Sequence, residues 1–399
     1  MGWERSQETP ETGGWRTEPA TNGSQDGGRA GGRESARERF QPVLTIEHIA
    51  TLAEVSRSTV SRVLNNHPSV RPTVRERVLQ VIREQNYAPQ AAARSLASSR
   101  TDTIGLLIPR SAAFSLADPF IASMIQALFE ASAQQGYFVM LAMLTADMEP
   151  GFYDRILRGR HFDGVIMFSS DIDDPILPLL IKDGGPMVLI GRHPYFLNVI
   201  SVDVENREGA REAVAHLIAH GHRRIGLING QLEMEAAQAR RDGYKQALLE
   251  SGIAIHADLM VDGLFSEAAA YQAMLKLLDL PQPPTAVFAV SDGMAIGALH
   301  AVRQRGLRVP HDIALVGYDD GPLAAYATPP LTSVHQPIRD MGAHAVRLLV
   351  EQIRGQGAAT SVRIPAHLVV RESCGGGAAD STSAKGGSVL ARGAPTPTP

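Results

Sequence analysis

Residues 44–101 read LTIEHIATLAEVSRSTVSRVLNNHPSVRPTVRERVLQVIREQNYAPQAAARSLASSRT, and the rest of the chain is arranged around them. Ile46, Ile49, Ala50 and Ala53 recur at the spacing of one helix face, with Thr45 in place to cap it. Glu54-Val55 makes a tight turn. Ser56 then caps a second helix, Arg57 to Leu64, with Val60, Val63 and Leu64 inward and Arg57, Ser58, Ser61 and Arg62 outward. Asn65-Asn66 ends it, because Asn tolerates the left-handed backbone of a helix exit. A third helix begins near Pro72, a favoured first position. It is expected to bury Val74, Val78, Leu79 and Ile82 and to run to about Asn86.

Two short helices joined by a tight turn form a helix-turn-helix, whose second helix fits the DNA major groove. From Val43 to Thr101 there are eight arginines, no lysine and four glutamates, while the whole chain carries −4. A basic head on an acidic body is the electrostatic footprint of a nucleic-acid reader. The same pattern also fits a solvated helical bundle whose arginines only keep it soluble.

From Thr103 onward near-continuous apolar strands alternate with helical patterns. The first set of strands is 103–108, 137–143, 164–168 and 187–190; the second is 199–202, 225–228, 259–261, 286–290 and 313–316. Such alternation implies parallel sheets covered on both faces, and its length suits two lobes. Ligands of such sheets lie beyond the carboxyl ends of the strands, which places a ligand between the lobes.

VSRSTVSRVLN, followed by RERVLQVIREQNYAPQAAARSLASSRTDTIGLLIP, resembles the lactose/galactose repressor (LacI/GalR) family of bacterial transcription regulators, and the likeness runs from Leu44 to about Ser373. It implies an all-α helix-turn-helix head on an α/β core of two Rossmann-like lobes, similar to periplasmic sugar-binding proteins. The expected divisions are a disordered extension (1–42), the head (43–88), a hinge (89–101), an effector-binding and dimerising core (102–373) and a disordered tail (374–399). Within the core, the first lobe is expected at about 102–198 plus 338–362, and the second at about 199–331 plus a C-terminal strand. The chain departs from the family at Glu54, where Gly is usual.

The resemblance also implies roles. Arg57, Ser58 and Arg62 would face base edges, and Thr45, Ser56, Thr59 and Asn65 would hold phosphates. In the hinge, Leu96 would enter the minor groove as an apolar wedge, with small neighbours Ala93 and Ala97 letting two hinges approach. In the cleft, Asp292 of SDGMAIGAL would contact effector; its plain alternative is to cap the helix starting at Gly293. Arg240 of QARRDGY, with Arg241 as rival, would grip a diol, carboxylate or phosphate. Phe120 of Asp118-Pro119-Phe120 would stack on a sugar ring. By their places in loops beyond the strands, Asp118, Arg192 and Gln336 would complete the ring of contacts, and Asp319 of GYDDG would either contact ligand or stiffen its loop, with Ser169, Ser170 and Asp171 as weaker candidates.

His216, His220 and His222 lack the cysteine or paired carboxylates of a zinc set, so no metal is expected, nor any cofactor. No nucleophile elbow or phosphate loop suggests an enzyme. Cys374 is the only cysteine, so no intrachain disulfide can form, which fits a cytoplasmic chain. Residues 1–42 carry seven acids and six arginines, whose charges nearly cancel, and no apolar core of a secretory signal. The expected partners are operator DNA, a small effector such as a sugar or sugar derivative, and a second copy of the chain. The alternatives are a sugar-binding protein or cleft enzyme with no DNA role, or a regulator answering to a nucleoside or a protein corepressor.

Overall fold

The computed structural model describes residues 44–87, 100–108, 119–143, 159, 161–168, 171–356 and 360–375. The expected hinge residues Ala93, Leu96 and Ala97, the candidates Asp118, Ser169 and Ser170, the extension and nearly all of the tail lie outside them.

The head holds α1 (Ile46–Leu52), α2 (Arg57–Leu64) and α3 (Pro72–Glu84). Ile49, Ala50, Ala53, Val60, Val63, Val78 and Tyr87 make its core. The Ser56 hydroxyl caps α2 by accepting the Thr59 N–H at 3.2 Å. Thr45 is the N-cap of α1, and its backbone N–H donates to His48 Nδ1 at 3.1 Å. Glu54 takes the left-handed backbone expected of the usual Gly, with φ 50°, and Asn66 does the same beyond α2 at φ 51°. One packing expectation is corrected. Leu79 is exposed, and Val81 with Ile82 packs beside Val78 instead, because α3 turns a slightly different stripe to the core.

The core contains two six-stranded sheets. The first takes β1 (Thr103–Ile108), β2 (Phe138–Met143), β3 (Gly164–Phe168), β4 (Met187–Ile190) and β5 (Ser201–Val204), with α4 (Pro119–Gln134) and α5 (Ile176–Asp183) between strands. The chain then builds α6 (Asn206–Ala219), β6 (Ile225–Asn229), α7 (Glu235–Glu250), β7 (Met260–Asp262), α8 (Glu267–Leu278), β8 (Ala286–Ala289), α9 (Asp292–Gln304), β9 (Ala314–Asp319), α10 (Pro322–Tyr326) and β10 (Thr332–His335). It returns through α11 (Ile338–Ile353) to β11 (Val362–Ile364) in the first sheet, and ends with β12 (His367–Val369) in the second.

The first sheet runs β11-β5-β4-β3-β1-β2, all parallel; the second runs β12-β10-β9-β8-β6-β7, parallel except for β12 against β10. The lobe boundary expected at 198–199 is therefore corrected. The run at 199–202 belongs to the first lobe, where β5 lies between β4 and β11. An apolar strand suits either sheet, and only its pairing partners, here β4 on one side and a strand 160 residues later on the other, settle which. The chain thus crosses between lobes three times, after β5, after β10 and after β11. The Glu205 N–H donates to the Ile364 carbonyl at 3.0 Å, tying two crossings together.

Candidate functional site

Parallel strands put their carboxyl ends at one rim, and the two rims enclose a cleft of about 720 Å³, counting its open mouth. That is a typical size for a small-molecule site. The first lobe contributes Phe120, Phe168 and Asp203 among others; the second contributes Arg240, Phe265 and Asp319. Asn206 and Gln336, at the first two crossings, line it as well.

Arg240 is the centre of the polar part. It is buried on α7, donates from Nε to Asn206 Oδ1 at 2.9 Å and from Nη1 to the Val290 carbonyl at 2.6 Å. Its guanidinium lies 3.7 Å above the Tyr318 ring centre and 3.5 Å from Asp319 Oδ1. Asp319 in turn accepts from Gln336 Nε2 at 2.6 Å. A guanidinium has five N–H donors, so these bonds hold it in place and leave donors for a ligand. Arg241, the rival, is partly exposed and pairs loosely with Asp242 at 3.9 Å.

Asp203 and Asn206 are lining residues that sequence reasoning missed. Asn206 Nδ2 donates to Asp203 Oδ1 at 3.1 Å. Burial, and then the facing charge of Glu235, push the Asp203 carboxyl up to about 7, against the pull of the Val204 N–H, Arg192 and Arg240. The available signal was a lone acid in the apolar run SVDV. Phe168, Phe265 and Ser291 were also missed. Phe265 has a positive φ of 48° and packs over Gly230, where any Cβ would strike its ring.

Of the expected contacts, Phe120, Arg240, Asp319 and Gln336 meet at the cavity wall. Arg192 does not line it; it lines the adjoining recess, which shares Asp203 with the cleft. Asp171 lies at the interlobe contact with Met234. Asp292 is not brought to the wall either. It is the first residue of α9, one earlier than the expected start, and Ser291 is the cap, accepting the Met294 N–H at 3.2 Å. The Asp292 carboxylate accepts from Ser333 Oγ at 2.6 Å and from the Gly321 N–H at 2.8 Å, which fixes the loop behind Asp319. Gly317 makes this possible, since a Cβ there would lie 2.4 Å from Asp292 Oδ1.

The three histidines point to separate neighbours. His216 Nε2 is 3.2 Å from Cys374 Sγ, His220 Nδ1 is 2.9 Å from the His216 carbonyl, and His222 Nδ1 is 2.9 Å from Thr285 Oγ1. Among the described residues no group of three or more His, Cys, Asp or Glu is arranged to hold a metal ion, and no helix is long and apolar enough to cross a membrane.

In the head, Arg57, Ser58 and Arg62 stand exposed on α2, with Asn65 just beyond it. Arg57 Nε is paired with Glu47 at 3.0 Å, both well exposed, and the Ser56 hydroxyl bonds those of Ser58 and Thr59 at 2.8 Å each.

Residues 45–90 match the family model for bacterial regulatory proteins of the lacI family, and residues 214–374 match that for a periplasmic binding protein-like domain. The regulator CelR of Thermobifida fusca is 41% identical over 82% of this chain and 98% of its own. The chain belongs to the LacI family. Among solved structures it is similar to a CelR–cellobiose complex, at 38% identity and TM-score 0.65, covering 83% of this chain and 99% of the other. It is also similar to a lac repressor dimer bound to operator and the anti-inducer ONPF, at 29% identity and TM-score 0.74, with the same coverage. This LacI-family chain is a DNA-binding transcriptional regulator, not an enzyme.

Proposed function

We propose that this regulator is a repressor of carbohydrate uptake or metabolism genes, released from or held on its operator by a sugar in the interlobe cleft. The observation that carries the reading is the meeting of aromatic faces, Phe120, Phe168 and Phe265, with the anchored guanidinium of Arg240. Flat apolar rings suit a pyranose face, and a fixed fork of donors suits its hydroxyls. The cellobiose held by the similar CelR supports the sugar class. Operator and effector binding are then linked reciprocally through the angle between the lobes.

On DNA, Arg57, Ser58 and Arg62 read base edges, because their side chains are exposed on one face of α2. Thr45, Ser56, Thr59 and Asn65 hold phosphates beside them. Leu96, flanked by Ala93 and Ala97, wedges the minor groove. A homodimer supplies two heads, and the parallel first sheet offers it an apolar edge: β2 exposes Phe138, Met140, Leu141 and Met143. The chain works in the cytoplasm.

A thermal-shift screen tests the reading, using cellobiose, other disaccharides, monosaccharides and nucleosides, with and without operator DNA. A ligand at 100 times its Kd stabilises by about 2.7 kcal/mol, a shift easily seen. Sugars that leave the melting temperature unchanged while a nucleoside raises it would overturn the sugar assignment. Leu96→Ala should weaken operator binding and spare nonspecific binding; equal loss of both would remove the wedge.

A further inference from the structure

One short backbone contact joins the lobes beside the cleft, which Met234 lines. Asp171 pairs with Met234 as an isolated antiparallel bridge, and the Ile172 N–H donates to the Glu233 carbonyl at 2.9 Å. Residues 171–172 follow β3 in the first lobe, and 233–234 precede α7 in the second. Buried His193 stands behind the bridge, its Nε2 3.0 Å from the Ile172 carbonyl oxygen. Asp174 fixes the same loop by accepting the Ile176 N–H at 2.7 Å. So small a contact is marginal by itself, and its neighbours decide whether it stays closed.

The residue after the bridge is Glu235, which opens α7. Its neighbours Met234 and Ala236 line the cleft together with the buried Asp203 of the first lobe, so Glu235 bears on Asp203, while Arg192, Arg240 and Asp242 bear on Glu235. Asp203 lies in the wall between the cleft and the adjoining recess. The other charged and titratable groups around it are Arg240, Asp319 and Tyr318 from the second lobe, and Arg363 from β11, which lines the recess. His193, Asp171 and Asp174 stand on the clasp side.

We propose that the bridge between 171–172 and 233–234 is a clasp that closes the cleft, and that Asp203 and Glu235, carboxyls supplied by opposite lobes, make its closure depend on pH. The proposal rests on reading this cleft as the moving effector site. Burial and the facing Glu235 raise Asp203 to about 7 in the closed form. Opening readmits water and withdraws Glu235, so the open form gives up the same proton at lower pH. The closed form therefore holds more protons across that interval. Closure strengthens as pH falls toward neutrality and weakens as pH rises through about 7, where two like charges remain in the closed cluster. Arg192 and Arg240 limit the repulsion by pulling Asp203 down.

Hydrogen exchange on the full chain, without any ligand, tests this at the Ile172 amide, with the amides of β6 as the global reference. After correction for intrinsic exchange, Ile172 protection should fall between about pH 6 and about pH 8, by up to about tenfold per unit separating the two forms. Asp203→Asn, which keeps the oxygen that Asn206 binds, should flatten the profile. Glu235→Gln should move its midpoint to lower pH, a shift that mere burial of Asp203 would not give. A flat profile in the wild-type chain, or the wild-type profile in Asp203→Asn, would overturn the clasp. Because no sugar is present, failure here is distinguishable from failure of the effector assignment, which the ligand screen reads.

Discussion

The recognition face of the head and the wall of the cleft use the same residue types in opposite ways. On α2, Arg57 and Arg62 are exposed, and Arg57 pairs with Glu47, itself exposed. In the cleft, Arg240 is buried and fixed by two hydrogen bonds, a carboxylate and an aromatic face. An exposed arginine is free to exchange water for a base edge. A buried one is already committed, and its remaining donors act from a rigid position. The head can therefore change partners at little cost to folding, whereas the cleft cannot lose a member without strain on its neighbours.

The largest expected effect follows from that difference. Arg240→Ala should abolish the sugar response and lower stability by about 3–5 kcal/mol, because Asp319 is left buried without its cation; denaturant unfolding checks it, and an unchanged midpoint would break the contrast. Asp292→Ala comes next. It strands the Ser333 hydroxyl and the Gly321 N–H, and should cost about 1–3 kcal/mol for each group left unsatisfied. If the variant keeps its stability but loses effector binding, Asp292 touches ligand directly. Arg62→Ala should leave the melting temperature alone and relax discrimination at one base position per half-site by about 1–3 kcal/mol; competition binding with single-base operator variants reads it. Ser56→Ala, which removes the α2 cap, should cost about 1 kcal/mol of head stability.

The head was legible because its structure is local. Caps, turn and inner face all fall within one stretch, and the left-handed Glu54 agrees with the Gly that the resemblance puts at that position. Leu79 was misplaced because neighbouring apolar residues on α3 compete for one face, and only packing chooses between them. The cleft was legible where a residue sits at a strand end, as with Asp319 and Gln336, or in a motif such as QARRDGY, which carries Arg240 on α7. It was not legible where the role depends on a partner far along the chain. Asp203 looks like an interruption in an apolar strand until β5 is seen beside β4 and β11 with Asn206 beneath. Asp292 reads as a ligand contact from its motif alone, and its bonds to Ser333 and Gly321, from distant parts of the chain, show only in the structure.

Fluorescence anisotropy with duplexes from the promoter region of the chain's own gene, against scrambled duplexes and with a sugar panel, tests the central claim most directly. The account predicts preferential binding to one near-palindromic site, and a change in that affinity on adding one of the sugars. Equal affinity for every duplex, unmoved by any sugar, would contradict it.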